Sequence, residues 1–352
     1  MSTSTYSTLV PDKNLIEEST RDTQVCETNA NSAQSLDFRR AVENFEIDGD
    51  SNIGVDPFIF NANILIDNGD YRLALNLLQK KLASDPQNHL VTLLMGECFL
   101  NLQEYELAQR CFLKSQNQND CFDVRFGLGE LYYLMGDDIL SLENYLTAVD
   151  LVEIEDERLY TCYKNIGNIL VRLRQYDQAK EYYYKAHAMN PNSDSLYVNF
   201  GTLSIQQSEW ERALKYFRKA ININSENERA WIGLALVHRE FGDMELSWAN
   251  IIRALDIAPD NLISIKLAIE WAYRDNKVVE ISRRIESFLD YNPQNIEVSF
   301  LYCQVLCSLN RFVHASIEIE KVLALDPTYE GANDLKEFIK QSVIDNSGAK
   351  NG

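Results

Sequence analysis

The sequence predicts an all-α chain, a solenoid assembled from antiparallel helix pairs. Three observations carry that expectation. A helix-stopping position recurs at a fixed period: Pro191, Ser225, Pro259, Pro293 and Pro327 follow one another at intervals of 34 residues. Proline disfavours helix at the residue before it, so each marks where one helix stops and another can start. Within each period a small or polar break falls between two apolar-periodic stretches, as in Asn68-Gly69-Asp70, Met135-Gly136-Asp137 and Phe241-Gly242-Asp243. Glycine there suits the left-handed residue that closes a helix. After the break comes an aromatic-x-x-Ala pattern: Tyr71 with Ala74, Tyr105 with Ala108, Tyr176 with Ala179, Trp210 with Ala213, Phe312 with Ala315. A period of this size marks a repeat architecture, in which each unit buries its core only against its neighbours.

The elements follow in chain order. Residues 1–50 are expected to form a disordered arm. Its first 35 residues are rich in Ser, Thr, Asn and Gln and carry little apolar periodicity, a composition that cannot offset its ordering entropy. Residues 36–47 can form a short amphipathic helix, with Leu36, Phe38, Val42 and Phe45 apolar and a break at Asp48-Gly49. The solenoid spans 55–328 as about eight repeats, beginning near Val55, His89, Phe122, Tyr160, Asp194, Glu228, Leu262 and Ile296. The second is one residue short of the period and the third four residues long, with the extra turn in Val152–Glu157. Small residues mark where paired helices approach: Ala62, Gly96, Gly129, Gly167, Gly201 and Ala235 on first helices, facing Ala74, Ala108, Ser141, Ala179, Ala213 and Ser247 on second helices. Repeat seven departs, with bulky Ile269, Ile281 and Phe288 at equivalent places, and its helices are expected to separate or rotate. A capping helix is expected over 329–343 and a disordered tail over 344–352.

Composition narrows the function. The net charge of −20 argues against nucleic acid or an anionic membrane as partner. No stretch is long and apolar enough to span a bilayer, and the opening residues lack the cationic and apolar regions of a secretory signal. Seven cysteines at irregular spacing read as reduced thiols, so a cytoplasmic location is expected. The four histidines, His89, His187, His238 and His314, join no constellation at metal-ligand spacing. No Gly-rich phosphate loop or nucleophile motif is present. The expectation is a protein that is not an enzyme, with no cofactor and no metal.

The repeats resemble the tetratricopeptide (TPR) family, whose period is 34 residues with a Trp-x2-Leu-Gly-x2-Tyr…Ala-x3-Phe…Pro pattern. Repeat four reads Tyr163-x2-Ile166-Gly167-x2-Leu170, then Ala179-x3-Tyr183, Ala186 and Pro191. Repeat five reads Tyr197, Phe200-Gly201, then Ala213-x3-Phe217 and Ala220. Repeat six reads Trp231-x2-Leu234-Ala235, then Ala254 and Pro259.

That resemblance implies a right-handed superhelix whose first helices line a concave groove. The implied function is protein–protein interaction: a scaffold or adaptor that holds an extended or helical partner segment. The alternatives are a regulatory subunit of an enzyme complex and a co-chaperone. In this register the inward positions of repeats one to three include Asp56, Asn63, Asp67, Glu97, Asp123, Phe126, Glu130 and Tyr133. Those of repeats four to seven include Lys164, Asn168, Arg172, Thr202, Arg229, Arg239, Lys266, Tyr273 and Arg274. The first half reads acidic with aromatics and the second half basic. An acidic stretch of the partner is therefore expected toward repeats four to seven. The co-chaperone alternative rests on Lys164, Asn168, Asn199 and Arg229, which match places in the family's carboxylate clamp. Gly233 stands where the last clamp Arg would be, so the bidentate fork is lost.

Overall fold

The computed structural model describes residues 56–152 and 156–348. The expected arm and its 36–47 helix lie outside that range, as do the middle of the Val152–Glu157 insertion and residues 349–352. Seventeen helices and no strand occur among the described residues. The fold is all-α and built of tandem helix pairs.

The chain divides into two compact bodies after Pro191. The first holds α1 (Pro57–Asp67), α2 (Tyr71–Ser84), α3 (His89–Asn101), α4 (Tyr105–Gln118), α5 (Phe122–Met135), α6 (Asp138–Leu151), α7 (Arg158–Arg172) and α8 (Tyr176–Met189). The second holds α9 (Asp194–Gln206), α10 (Trp210–Ile223), α11 (Glu228–Glu240), α12 (Met244–Ile257), α13 (Leu262–Arg274), α14 (Val278–Tyr291), α15 (Ile296–Ser308), α16 (Phe312–Leu325) and α17 (Ala332–Gly348). Odd-numbered α1 to α15 are first helices and even-numbered α2 to α16 second helices of eight repeats. The final helix α17 packs on α16, burying Ala332 and Ile339. It runs past the 343 boundary that the apolar pattern suggests.

Local chemistry explains the boundaries. Two residues after the stops at 191, 225, 259 and 293, and likewise two after Pro86, comes a capping side chain: Asn88, Ser193, Asn227, Asn261 and Asn295 accept hydrogen bonds from the backbone N–H groups of the helices they begin. Each satisfies one of the donors a helix start leaves open. Between first and second helix every turn passes through a left-handed residue. Gly69, Gly136 and Gly242 fill this place in three repeats, and Gln103, Arg174, Ser208, Asn276 and Asn310 in five.

The small-residue seam has a specific occupant. A Cβ at Gly201 would meet the Phe217 ring at 2.6, 2.7 and 2.9 Å. The group against Gly201 is thus the aromatic one turn beyond Ala213, not Ala213 itself. Phe217 also lies against Gly233 of the next repeat, and Phe112 is held in the same way between Gly96 and Gly127. Tyr145 fits against Gly129 and Tyr183 against Gly167. Each ring fills the space between helices that glycine opens, which supplies the close packing of the core. Repeat seven has no such glycine. Ile269, Ile281 and Phe288 are all buried, and α13 and α14 share less contact than any other first–second pair. That is the separation its bulky residues lead one to expect.

Within the first body α1 packs on α3 and α3 on α5, and within the second α9 packs on α11. Within each body second helices instead pack on the first helix that follows them. First helices therefore lie closer together than second helices do over these stretches, and their side chains form a row along α1, α3 and α5 in the first body and along α9 and α11 in the second.

Candidate functional site

The candidate site is that first-helix row, taken body by body. In the first body its centre is Glu97 on α3 and Glu130 on α5. Both side chains are half-buried, and neither takes an ion pair or hydrogen bond among the described residues. Burial raises both carboxyls to about 7. For Glu97 the neighbouring charge of Glu130 adds to this, Arg158 opposes it, and Asp67 and Asp123 add smaller amounts. For Glu130, Arg158 and Lys164 oppose it. Desolvation disfavours the charged form, and a second carboxylate close by disfavours it further.

Beside them stands Arg158, which the sequence reading missed. Its guanidinium lies 2.8 Å from Asp123 and 2.7 Å from Asp156 and covers the rings of Phe122 and Phe126 at 4.6 and 5.6 Å. Burial works against its charge, but hydrogen bonds and attraction from Asp156 and Asp123 outweigh that and its pKa is raised. Phe126 is further held by stacking on Phe122 and an edge contact with Tyr145.

Three other expected groove residues of this body form one internal network. Arg172 grips Asp138 with Nε at 3.0 Å from both oxygens and Nη2 at 2.6 Å. It lies over the Tyr133 ring at 4.7 Å. The Tyr133 hydroxyl accepts from Asn168 at 3.1 Å, and the Tyr183 hydroxyl donates to Asn168 at 2.8 Å. Arg172, Asn168 and Tyr133 are thus spent on packing two repeats together. Lys164 stands 5.8 Å over the Tyr160 ring.

In the second body the basic row is compensated from within. Arg239 pairs with Asp275, one bond being 3.1 Å, and covers the Trp271 ring at 4.9 Å. Lys266 lies 2.8 Å from Glu297 and Arg274 2.6 Å from Glu270. Arg229 and Asn199 are buried, Thr202 is half-buried and Tyr273 is exposed. His238 is buried on the α11 core face. The carboxylates that neutralise the row went unread, although Glu270 and Arg274 stand at helical i,i+4 spacing.

No group of His, Cys, Asp and Glu among the described residues is arranged to hold a metal ion. Cys98, Cys111, Cys121, Cys162, Cys303 and Cys307 are free thiols whose pKa values burial raises, the opposite of what a reactive thiol needs.

Three models of the tetratricopeptide repeat match the chain, over residues 65–121, 160–193 and 198–261. The chain belongs to the tetratricopeptide-repeat family. Solved TPR structures share its fold. Yeast Tom70 is 12% identical, with a TM-score of 0.60, covering 86% of this chain and 66% of its own. The pilF protein of Pseudomonas aeruginosa is 19% identical, with a TM-score of 0.52, covering 60% of this chain and 96% of its own. The APC/C hetero-tetramer Cut9–Hcn1 is 16% identical, with a TM-score of 0.53, covering 82% of this chain and 49% of that one. At these identities the likeness is one of fold. Among curated proteins, none matches the chain by sequence. A TPR fold of this kind generally serves protein–protein interaction, and no described helix is long and apolar enough to cross a membrane.

Proposed function

We propose that this TPR protein is a non-enzymatic scaffold that holds an extended or helical partner segment along its first-helix row. One observation carries the charge assignment. Arg172, Arg239, Lys266 and Arg274, four of the cations expected to attract an acidic segment, already pair with carboxylates of this chain, whereas Glu97 and Glu130 take no ion pair among the described residues. An acidic segment over the second body would have to displace Glu297 from Lys266 and Glu270 from Arg274. A segment bearing Lys or Arg would meet two half-buried acceptors on the first body, where low local dielectric strengthens the pairing. The co-chaperone reading gains no support, because Asn168 is engaged by two tyrosines, Arg229 is buried and Gly233 is pressed against Phe217. A regulatory subunit of an enzyme complex would use the same surface. A cytoplasmic setting fits the free thiols.

A peptide array probed with the full chain tests this. Lys- or Arg-bearing peptides are expected to dominate, and Glu97→Gln with Glu130→Gln to weaken their capture by about tenfold, the size of one lost charge pair. Preferential capture of acidic peptides, unchanged in that variant, would overturn the charge assignment.

A further inference from the structure

Three first-helix guanidiniums are held in one way, with a carboxylate at the edge and an aromatic ring beneath. Arg158 lies 2.8 Å from Asp123 and 4.6 Å over the Phe122 ring. Arg172 grips Asp138 and lies 4.7 Å over Tyr133. Arg239 pairs with Asp275 and lies 4.9 Å over Trp271. In each case ring and carboxylate come from the adjoining repeat. Two of these carboxylates are deep: the Asp138 side chain is 15% exposed and that of Asp275 14%. The ammonium of Lys266 instead meets Glu297, whose side chain is 48% exposed. A guanidinium is planar, weakly hydrated and able to stack, so it enters such a place at less cost than an ammonium.

Glu97 and Glu130 bring carboxylate and ring together once more. They are the ninth residues of repeats two and three, on α3 and α5, which pack on one another. Tyr71 stands at the start of α2. Burial, and after it the charge of Glu97, raises the Tyr71 hydroxyl, so ring and carboxylate are close. No cation covers that half-buried ring among the described residues. Arg158, whose charge reaches both glutamates, is already bound to Asp123 and Asp156. We propose that the partner residue taken by Glu97 and Glu130 is an arginine, its guanidinium bridging the two carboxylates beside the Tyr71 ring. This assignment rests on the cationic-segment reading above and narrows it from any cationic residue to one. A guanidinium presents five donors in one plane and can bond acceptors on two sides at once. An ammonium is a compact charge that holds its water more tightly, so half-buried acceptors compensate it less.

Three peptide libraries test the assignment, alike except for Arg, Lys or citrulline at one fixed central position, each offered to the full 352-residue chain. Wild type should capture the Arg library at least about tenfold more than the Lys library, the size of one charge-assisted bidentate pair. Citrulline keeps the shape of arginine and loses the charge, so its library should not be captured. Glu97→Gln with Glu130→Gln should abolish the difference between Arg and Lys, with circular dichroism showing that the variant is folded. Tyr71→Leu should lower Arg capture about threefold and leave Lys capture unchanged. Equal capture of Arg and Lys by wild type would overturn the arginine assignment while the charge assignment stands. Capture of both charged libraries no better than citrulline would overturn the two together. An Arg preference that survives in the Glu97→Gln, Glu130→Gln variant places the guanidinium elsewhere on the chain and overturns the assignment as well.

Discussion

Gly233→Ala is a small change that should cost this protein a large share of its local stability. A Cβ at Gly233 would fall within 2.5 Å of three atoms of the Phe217 ring. Normal van der Waals contact begins about 1 Å further out. The ring cannot swing away, because Gly201 already touches its other side so closely that a Cβ there would lie 2.6 Å from it. Phe217 is 1% exposed. Overpacking of this kind costs about 3 kcal/mol where no side chain can yield. Replacing Gly by Ala inside a helix returns about 1 kcal/mol. The net expectation is a loss of about 2 kcal/mol. Urea denaturation followed by circular dichroism reads the midpoint, and hydrogen exchange localises the loss to α9–α11, because repeats couple mainly to neighbours. In a Phe217→Leu background the same substitution should be neutral or stabilising. A midpoint that rises in the otherwise wild-type chain would refute the ring-between-glycines account.

Other expectations follow from the same geometry. Arg172→Ala should cost about 3–5 kcal/mol by stranding Asp138, a partner only 15% exposed, whereas Lys340→Ala at an exposed pair should be within about 0.5 kcal/mol of wild type; chemical denaturation compares them. Gly242→Ala should cost about 1 kcal/mol, since its φ of 80° is one that an L side chain resists; thermal melts check this. The raised carboxyls of Glu97 and Glu130 bind protons more tightly folded than unfolded. Their contribution is full below the unfolded value near 4.5 and is lost as pH rises through about 7. Glu97→Gln with Glu130→Gln should therefore flatten the stability profile between those limits and raise stability at pH 8, as denaturation across a pH series would show.

The fold was readable because helix-pair packing imposes the same demand every 34 residues, and only small side chains and one aromatic ring meet it. The αL turns were half readable. Glycine announces Gly69, Gly136 and Gly242, but Gln103, Arg174 and Ser208 take the same backbone shape under tertiary pressure alone. For the site, the charged positions of first helices could be named from register, yet their net charge could not. The residue that neutralises Arg172 lies 34 positions earlier, and the one that neutralises Arg239 lies 36 later. Each comes from an adjoining repeat, so reading one helix face at a time leaves the pairing out. Arg158 escaped notice because it sits at the start of α7, just after the residues that lengthen the third repeat.

Reversal of Arg239 and Arg274 is a poor probe of partner binding, since it would set new carboxylates against Asp275 and Glu270. The direct measurement uses the unpaired pair. Partner capture by the full chain is quantified for wild type, for Glu97→Lys with Glu130→Lys on first helices, and for Lys215→Glu with Lys219→Glu on a second helix. Circular dichroism confirms that all three remain folded. The account predicts that the first-helix variant loses the partners the wild type holds, that the second-helix variant keeps them, and that added salt weakens wild-type capture. Equal loss in both variants, or full capture by the first-helix variant, would contradict it.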